Sequence, residues 1–131
     1  MFRYPGTGTF MAVNVAQWTI DVEDLDLMIR FWSEALGYRV RQGGDGNAKL
    51  YPPPGSDAPT VWLQGSGTSK LGKNRIHPDV VADGPWEKEV ERLIELGARP
   101  ADVGQTGEEG FVVLADPEGN EFCVLHHAPD R

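Results

Sequence analysis

Apolar positions along this chain change period several times, and each change predicts an element. Over residues 11–22, Val13, Val15, Gln17, Thr19 and Asp21 share one side of an extended chain. Ala12, Asn14, Ala16, Trp18, Ile20 and Val22 share the other, so the stretch predicts a strand. Asp24 then predicts a helix cap. Leu25, Met28, Ile29, Trp32 and Leu36 follow at helical spacing, with Phe31 and Ala35 widening the stripe, until Gly37 ends it. Short strands are expected over Tyr38–Arg41, Ala48–Tyr51 and Thr60–Gln64, separated by a Gly-rich turn and a Pro-rich loop. Residues 65–74, rich in Gly, Ser and Lys, read as a crossover.

The second half starts with an expected strand over Arg75–Ala82, where Pro78 suits an edge or a position outside the ladder. Asp83-Gly-Pro-Trp86 opens a second helix, with Trp86, Val90, Leu93 and Ile94 on its apolar side and glutamates on its wet one. An extended piece at Arg99–Val103, a loop and two final strands follow. Those strands, within Phe111–Leu125, flank the turn Asp116-Pro-Glu-Gly-Asn120. Phe122 and Val124 point one way there, and Glu121, Cys123 and Leu125 the other. A shift of about sixty residues lays the halves over each other: Leu36-Gly37 falls on Leu96-Gly97 and Gln17 on His77. A duplicated βαβββ module is the expectation, with modules at about 11–64 and 75–126 and a linker at 65–74, within a single domain of residues 1–131. Trp18 and Trp32 are expected between helix and sheet. Residues 1–10 read as an arm whose Phe2, Tyr4 and Phe10 could pack on a partner subunit.

Composition narrows the function classes. The 131 residues suffice for a core, and 40% hydrophobic with 24% charged residues is an ordinary balance for a soluble domain. A formal net charge of -8 opposes nucleic acid or an anionic membrane as a general partner. The chain has no apolar stretch long enough to span a bilayer, and its first ten residues lack the apolar core of a signal peptide. One cysteine permits no internal disulfide, which fits a cytoplasmic location.

Three stretches carry a resemblance: Asp24 followed by Arg30-Phe-Trp-Ser-Glu-Ala-Leu-Gly37, Asn74-Arg-Ile-His-Pro-Asp79, and Ala115-Asp-Pro-Glu-Gly-Asn-Glu121. Across residues 11–126 the chain resembles the vicinal oxygen chelate superfamily, the glyoxalase, bleomycin-resistance and extradiol-dioxygenase group, and within it the bacterial glyoxalase-like domain proteins. The resemblance implies an α+β fold of two βαβββ modules, forming a curled mixed sheet around a shared cup, often in a homodimer. In metal-dependent members, two inward residues from each module hold a divalent ion. The corresponding positions here are Gln17, Trp62 with Gln64 as same-face neighbour, His77 and Cys123.

Two of those positions keep plausible ligands, Gln17 and His77. Indole and thiol replace carboxylates at the other two. Trp62 cannot coordinate a metal and suits instead the floor of a cup for an aromatic compound. Cys123 is read as core or pocket wall, with a zinc ligand or a nucleophile paired with His77 as alternatives. Asp79, two residues beyond His77, may orient its imidazole or bind a polar substrate, and Glu121 is the carboxylate able to act as a base. Lys70, Lys73 and Arg75 would meet an anionic group if the crossover covers the cup. The expectation is a cytoplasmic, homodimeric binder of a small aromatic or amphipathic molecule through Gln17, Trp62, Gln64, His77, Asp79 and Cys123, with no metal cofactor. The alternative is a lyase, isomerase or dioxygenase using zinc, nickel, iron or manganese around Gln17 and His77. The tail His126-His127 is a place for adventitious metal.

Overall fold

The computed structural model describes residues 12–130, so the arm with Phe2, Tyr4 and Phe10 lies outside the described residues. Strand β1 runs Gln17–Val22, shorter than the alternation of residues 11–22 suggests, because its ladder begins only where Gln17 meets Thr60. Helix α1 (Leu25–Leu36) starts as the sequence implies: the Asp24 carboxylate accepts the Leu27 N–H at 3.1 Å. It ends at Gly37, whose φ of 69° puts it in the left-handed region that favours glycine. Strands β2 (Arg39–Gln42), β3 (Asn47–Tyr51) and β4 (Thr60–Gly65) complete a four-stranded sheet in the order β1-β4-β3-β2.

The second module repeats this plan. Strand β5 (Asp79–Val81), helix α2 (Trp86–Leu96), and strands β6 (Arg99–Pro100), β7 (Phe111–Ala115) and β8 (Glu121–Leu125) give a sheet in the order β5-β8-β7-β6. In each sheet the first strand pairs in parallel with the last, and the other pairings are antiparallel. Strand β5 starts four residues later than the sequence alone suggests. Pro78 has no N–H to give, and its carbonyl instead accepts the Cys123 N–H at 3.0 Å. His77 therefore sits in the segment that feeds β5, just after the bend at Arg75–Ile76.

The curled sheet around a shared cup is not what forms. There are two open four-stranded sheets, and among the described residues no strand of one pairs with a strand of the other. Side chains gripping α1 join the modules instead. At its N-terminal end the Glu118 carboxylate accepts the N–H groups of Glu23, at 2.9 and 3.0 Å, and Asp24, at 2.7 Å. In its middle, Trp32 Nε1 donates to the buried Asp116 carboxylate at 3.0 Å. At its C-terminal end Arg92 of α2 donates to the carbonyls of Glu34 and Ala35, both at 3.1 Å. Phe31, Trp32 and Phe122 fill the seam as an edge-to-face trio with centroids 5.1–6.2 Å apart, each such pair adding about 0.5–1.5 kcal/mol beyond area burial. One core thus runs through both modules, from Val22, Met28, Leu50 and Leu63 to Leu93, Leu114 and Val124.

Candidate functional site

The parallel pairing of β5 with β8 creates the site. Asp79 stands opposite Cys123 in that ladder, and His77, two residues ahead of the strand, lies alongside them. His77 Nδ1 lies 3.4 Å from Asp79 Oδ1 and 3.9 Å from Cys123 Sγ. One ligand atom from each of the three residues falls within 4.8 Å of the others. Bonds of about 2.0–2.3 Å to a tetrahedral ion would set such atoms about 3.3–3.8 Å apart; the His77–Asp79 pair stands at that separation, and Cys123 Sγ, 3.9 Å from Nδ1, lies just outside it. Imidazole, carboxylate and thiolate are a donor set that suits zinc well.

This cluster overturns the expectation of a metal-free cup. The sequence placed Cys123 in a wall and Asp79 as a partner of the imidazole, but the β5–β8 register puts both beside His77 as a chelating trio. Cys123 is buried. That burial, with the negative charge of Asp79 adding to it, pushes its thiol up to about 11. As a free thiol it is therefore a poor nucleophile.

In front of the cluster lies a cavity of about 850 Å³ between β1, the crossover and the Asp116–Asn120 turn. The crossover is tied down on several sides. Ser69 donates to Glu23 at 2.6 Å, Lys70 pairs with Glu121 at 3.0 Å, and Lys70 also donates to the Gly72 carbonyl. Asn74 gives its N–H to Glu121 at 3.0 Å and its side-chain amide to Asn120 at 3.1 Å. Burial opposes ionisation of Glu121, but the Asn74 N–H and the Lys70 ammonium outweigh it and hold the carboxyl below its ordinary value.

The other expected residues are placed as follows. Gln17, Trp62 and Gln64 belong to the first sheet, and none lines this cavity. Gln17 accepts a hydrogen bond from the Thr60 hydroxyl at 3.0 Å. Trp62 stands opposite Thr19 in the β1–β4 ladder just as Cys123 stands opposite Asp79 in β5–β8, so the two occupy equivalent places in their modules. Trp18, expected between helix and sheet, is instead 48% exposed and lines the cavity. Lys70, Lys73 and Arg75 all line the cavity. In the tail, His126 stacks on Trp86 with centroids 3.9 Å apart, and its Nε2 is buried without a hydrogen-bond partner.

No helix among the described residues is long and apolar enough to cross a membrane. Comparison with known proteins adds the family. A family profile described as a glyoxalase-like domain matches residues 17–125. A search of curated proteins returns no significant match. Among solved structures, a fosfomycin resistance protein FosX from Listeria monocytogenes is 12% identical with a TM-score of 0.69, covering 90% of this chain and 96% of its own. A second FosX, from Mesorhizobium loti, is 17% identical with a TM-score of 0.67, covering 90% and 94%. A glyoxalase/bleomycin resistance protein/dioxygenase family enzyme from Burkholderia phytofirmans is 16% identical with a TM-score of 0.65, covering 86% and 97%. At these identities the structural likenesses speak for the fold alone. The profile match spans most of the chain, and on that ground the chain belongs to the glyoxalase-like domain family of the vicinal oxygen chelate superfamily.

Proposed function

We propose that this protein is a metal-dependent lyase or isomerase acting on a small organic molecule, with His77, Asp79 and Cys123 holding a divalent ion. The observation that carries the reading is the convergence of those three donors, two of which, His77 and Asp79, line the cavity. When bound, such an ion supplies Lewis acidity, polarising a carbonyl or similar oxygen of the substrate. A dioxygenase is the weaker branch: non-haem iron chemistry favours two imidazoles with a carboxylate, whereas one imidazole with a thiolate favours zinc.

The chain's own residues define the rest. The Asp79 carboxylate lies 3.4 Å from the same His77 nitrogen that faces Cys123, so in this reading it serves as a ligand beside the imidazole. Trp18 and Ile20 supply an apolar wall to the cavity. Glu121, whose carboxyl the Asn74 N–H and the Lys70 ammonium hold below its ordinary value, is a weak base while those contacts persist. Homodimerisation belongs to the same proposal. The open face of the first sheet carries Gln17, Trp62 and Gln64 outside the cavity, and a second copy of the chain is what would bring such a face to the cluster.

Elemental analysis of untagged protein, purified without chelators, tests the reading. One equivalent of a divalent ion is expected per chain in the wild type. The His77→Ala variant is expected to bind added zinc about 10–100-fold more weakly or worse. Equal zinc affinity in the two proteins, or ion bound only through the His126-His127 tail, would remove the metal from this site.

A further inference from the structure

The cavity in front of the cluster has two unlike linings. Nearest the metal ligands, Arg75 lies two residues before His77 and faces the same cavity. The other crossover cations are engaged: Lys70 with Glu121, and Lys73 with the Asn74 carbonyl at 3.3 Å. Among the described residues no carboxylate pairs with the Arg75 guanidinium. The acidic side chains of the cavity are mostly committed as well. Glu118 accepts the N–H groups ahead of α1, Glu121 holds Lys70 and Asn74, and Asp79 stands against His77, which leaves Asp21 as the one without a described partner. A free, planar, permanently charged donor fork of this kind matches a carboxylate or phosphate-type group.

The second lining is apolar and uncovered. Trp18, Leu71 and Ile76 are 48%, 96% and 73% exposed, and all three line this cavity. Large side chains left open to water and gathered around one cavity mark a surface that an apolar ligand covers.

We infer that the cavity selects a small organic oxyanion with an apolar body, Arg75 holding the anionic group while Trp18, Leu71 and Ile76 cover the rest. The inference takes its site from the proposed metal-dependent function, but its anion preference comes from Arg75 and not from the ion. The lining carries Lys70, Lys73 and Arg75 against Asp21, Asp79, Glu118 and Glu121, so the preference for an anion is local to the unpaired Arg75 guanidinium and is not a property of the cavity as a whole. The charge recognised is that of a carboxylate or a phosphonate alike.

The test is an NMR titration of the zinc-treated full-length protein with 4-phenylbutyrate, its neutral amide, and acetate. Phenylbutyrate is expected to bind at least about tenfold more tightly than either the amide or acetate, because it alone uses both linings. Arg75→Gln, at an exposed position, is expected to reduce phenylbutyrate to the affinity of the amide, and Trp18→Ala to weaken phenylbutyrate and the amide by similar factors. An unchanged preference in Arg75→Gln, acetate binding as well as phenylbutyrate, or no phenylbutyrate binding up to its solubility limit would each overturn the inference. The same titration on His77→Ala separates it from the metal reading. A His77→Ala variant that has lost zinc yet keeps the Arg75-dependent preference leaves this inference standing apart from the metal, whereas wild-type protein that binds no zinc but keeps the preference would sink the metal reading alone.

Discussion

Asp116 is fully buried, and its carboxylate accepts the N–H groups of Glu118 and Asn120, both at 2.9 Å, the Asn120 side-chain amide and the Trp32 indole. Burial drives its carboxyl above the ordinary value, while the donors of Asn120, Trp32 and Glu118 pull the other way. The residue therefore closes the final turn and clamps α1 to the second module at once. Asp116→Ala is expected to cost about 3 kcal/mol in urea unfolding, since it strands several buried donors. Trp32→Phe, which removes one bond and keeps an aromatic ring, is expected to cost about 1–2 kcal/mol. The turn itself was legible from Asp-Pro-Glu-Gly-Asn, because turn chemistry is local. That its aspartate takes a proton donor 84 residues away was not, because sequence spacing carries no record of which helix face lands on which turn. Cys123 follows the same rule. Its face of β8 was readable by alternation, but its neighbours His77 and Asp79 depend on a parallel register set across 46 residues.

Helix α1 has no basic residue in its own last turn, so Arg92 of α2 supplies the charge that its terminal carbonyls favour. Glu89 holds that guanidinium with contacts of 2.7 and 2.8 Å. Arg92→Ala is expected to destabilise the fold by about 1–3 kcal/mol, read as a lower urea midpoint. The pH dependence follows from Glu89, whose hydrogen bond to Arg92 lowers its carboxyl against the opposing effect of burial. A carboxyl lowered on folding contributes stability above its ordinary range and loses it as pH falls through the lowered value. Glu89→Gln is accordingly expected to flatten the acid side of the stability–pH curve, and an unaltered acid limb would count against the pair. The crossover gives a third element-scale expectation. Glu121→Ala frees both Lys70 and the Asn74 N–H, so hydrogen exchange at Asn74 should speed up while exchange in β7 and β8 stays slow. Both helices, the Asp24 cap, the glycines that end each helix and the last hairpin were readable beforehand because periodicity and capping act within a few residues. The length of β5 was not: Pro78 was seen as an edge residue, but where its ladder would start depended on β8.

For the molecule as a whole, the sixty-residue echo was the most informative feature, and the identical strand order of the two sheets is its structural counterpart. What the echo did not reveal is how two copies of one module pack. They meet through α1 and the Phe31–Trp32–Phe122 seam instead of closing a common sheet, which leaves the first sheet's Gln17, Trp62 and Gln64 away from the cavity. Sedimentation of the proposed homodimer should show one species at twice the chain mass, and a monomer throughout the micromolar range would contradict it. The most direct test of the central claim is the absorption spectrum of the cobalt(II)-substituted protein, because cobalt occupies zinc sites and reports a thiolate ligand by a charge-transfer band. The wild type should show that band with one equivalent of cobalt, and Cys123→Ser should bind cobalt more weakly and lose it. A wild-type spectrum without the band, or one that survives in Cys123→Ser, would contradict a metal centre built on His77, Asp79 and Cys123.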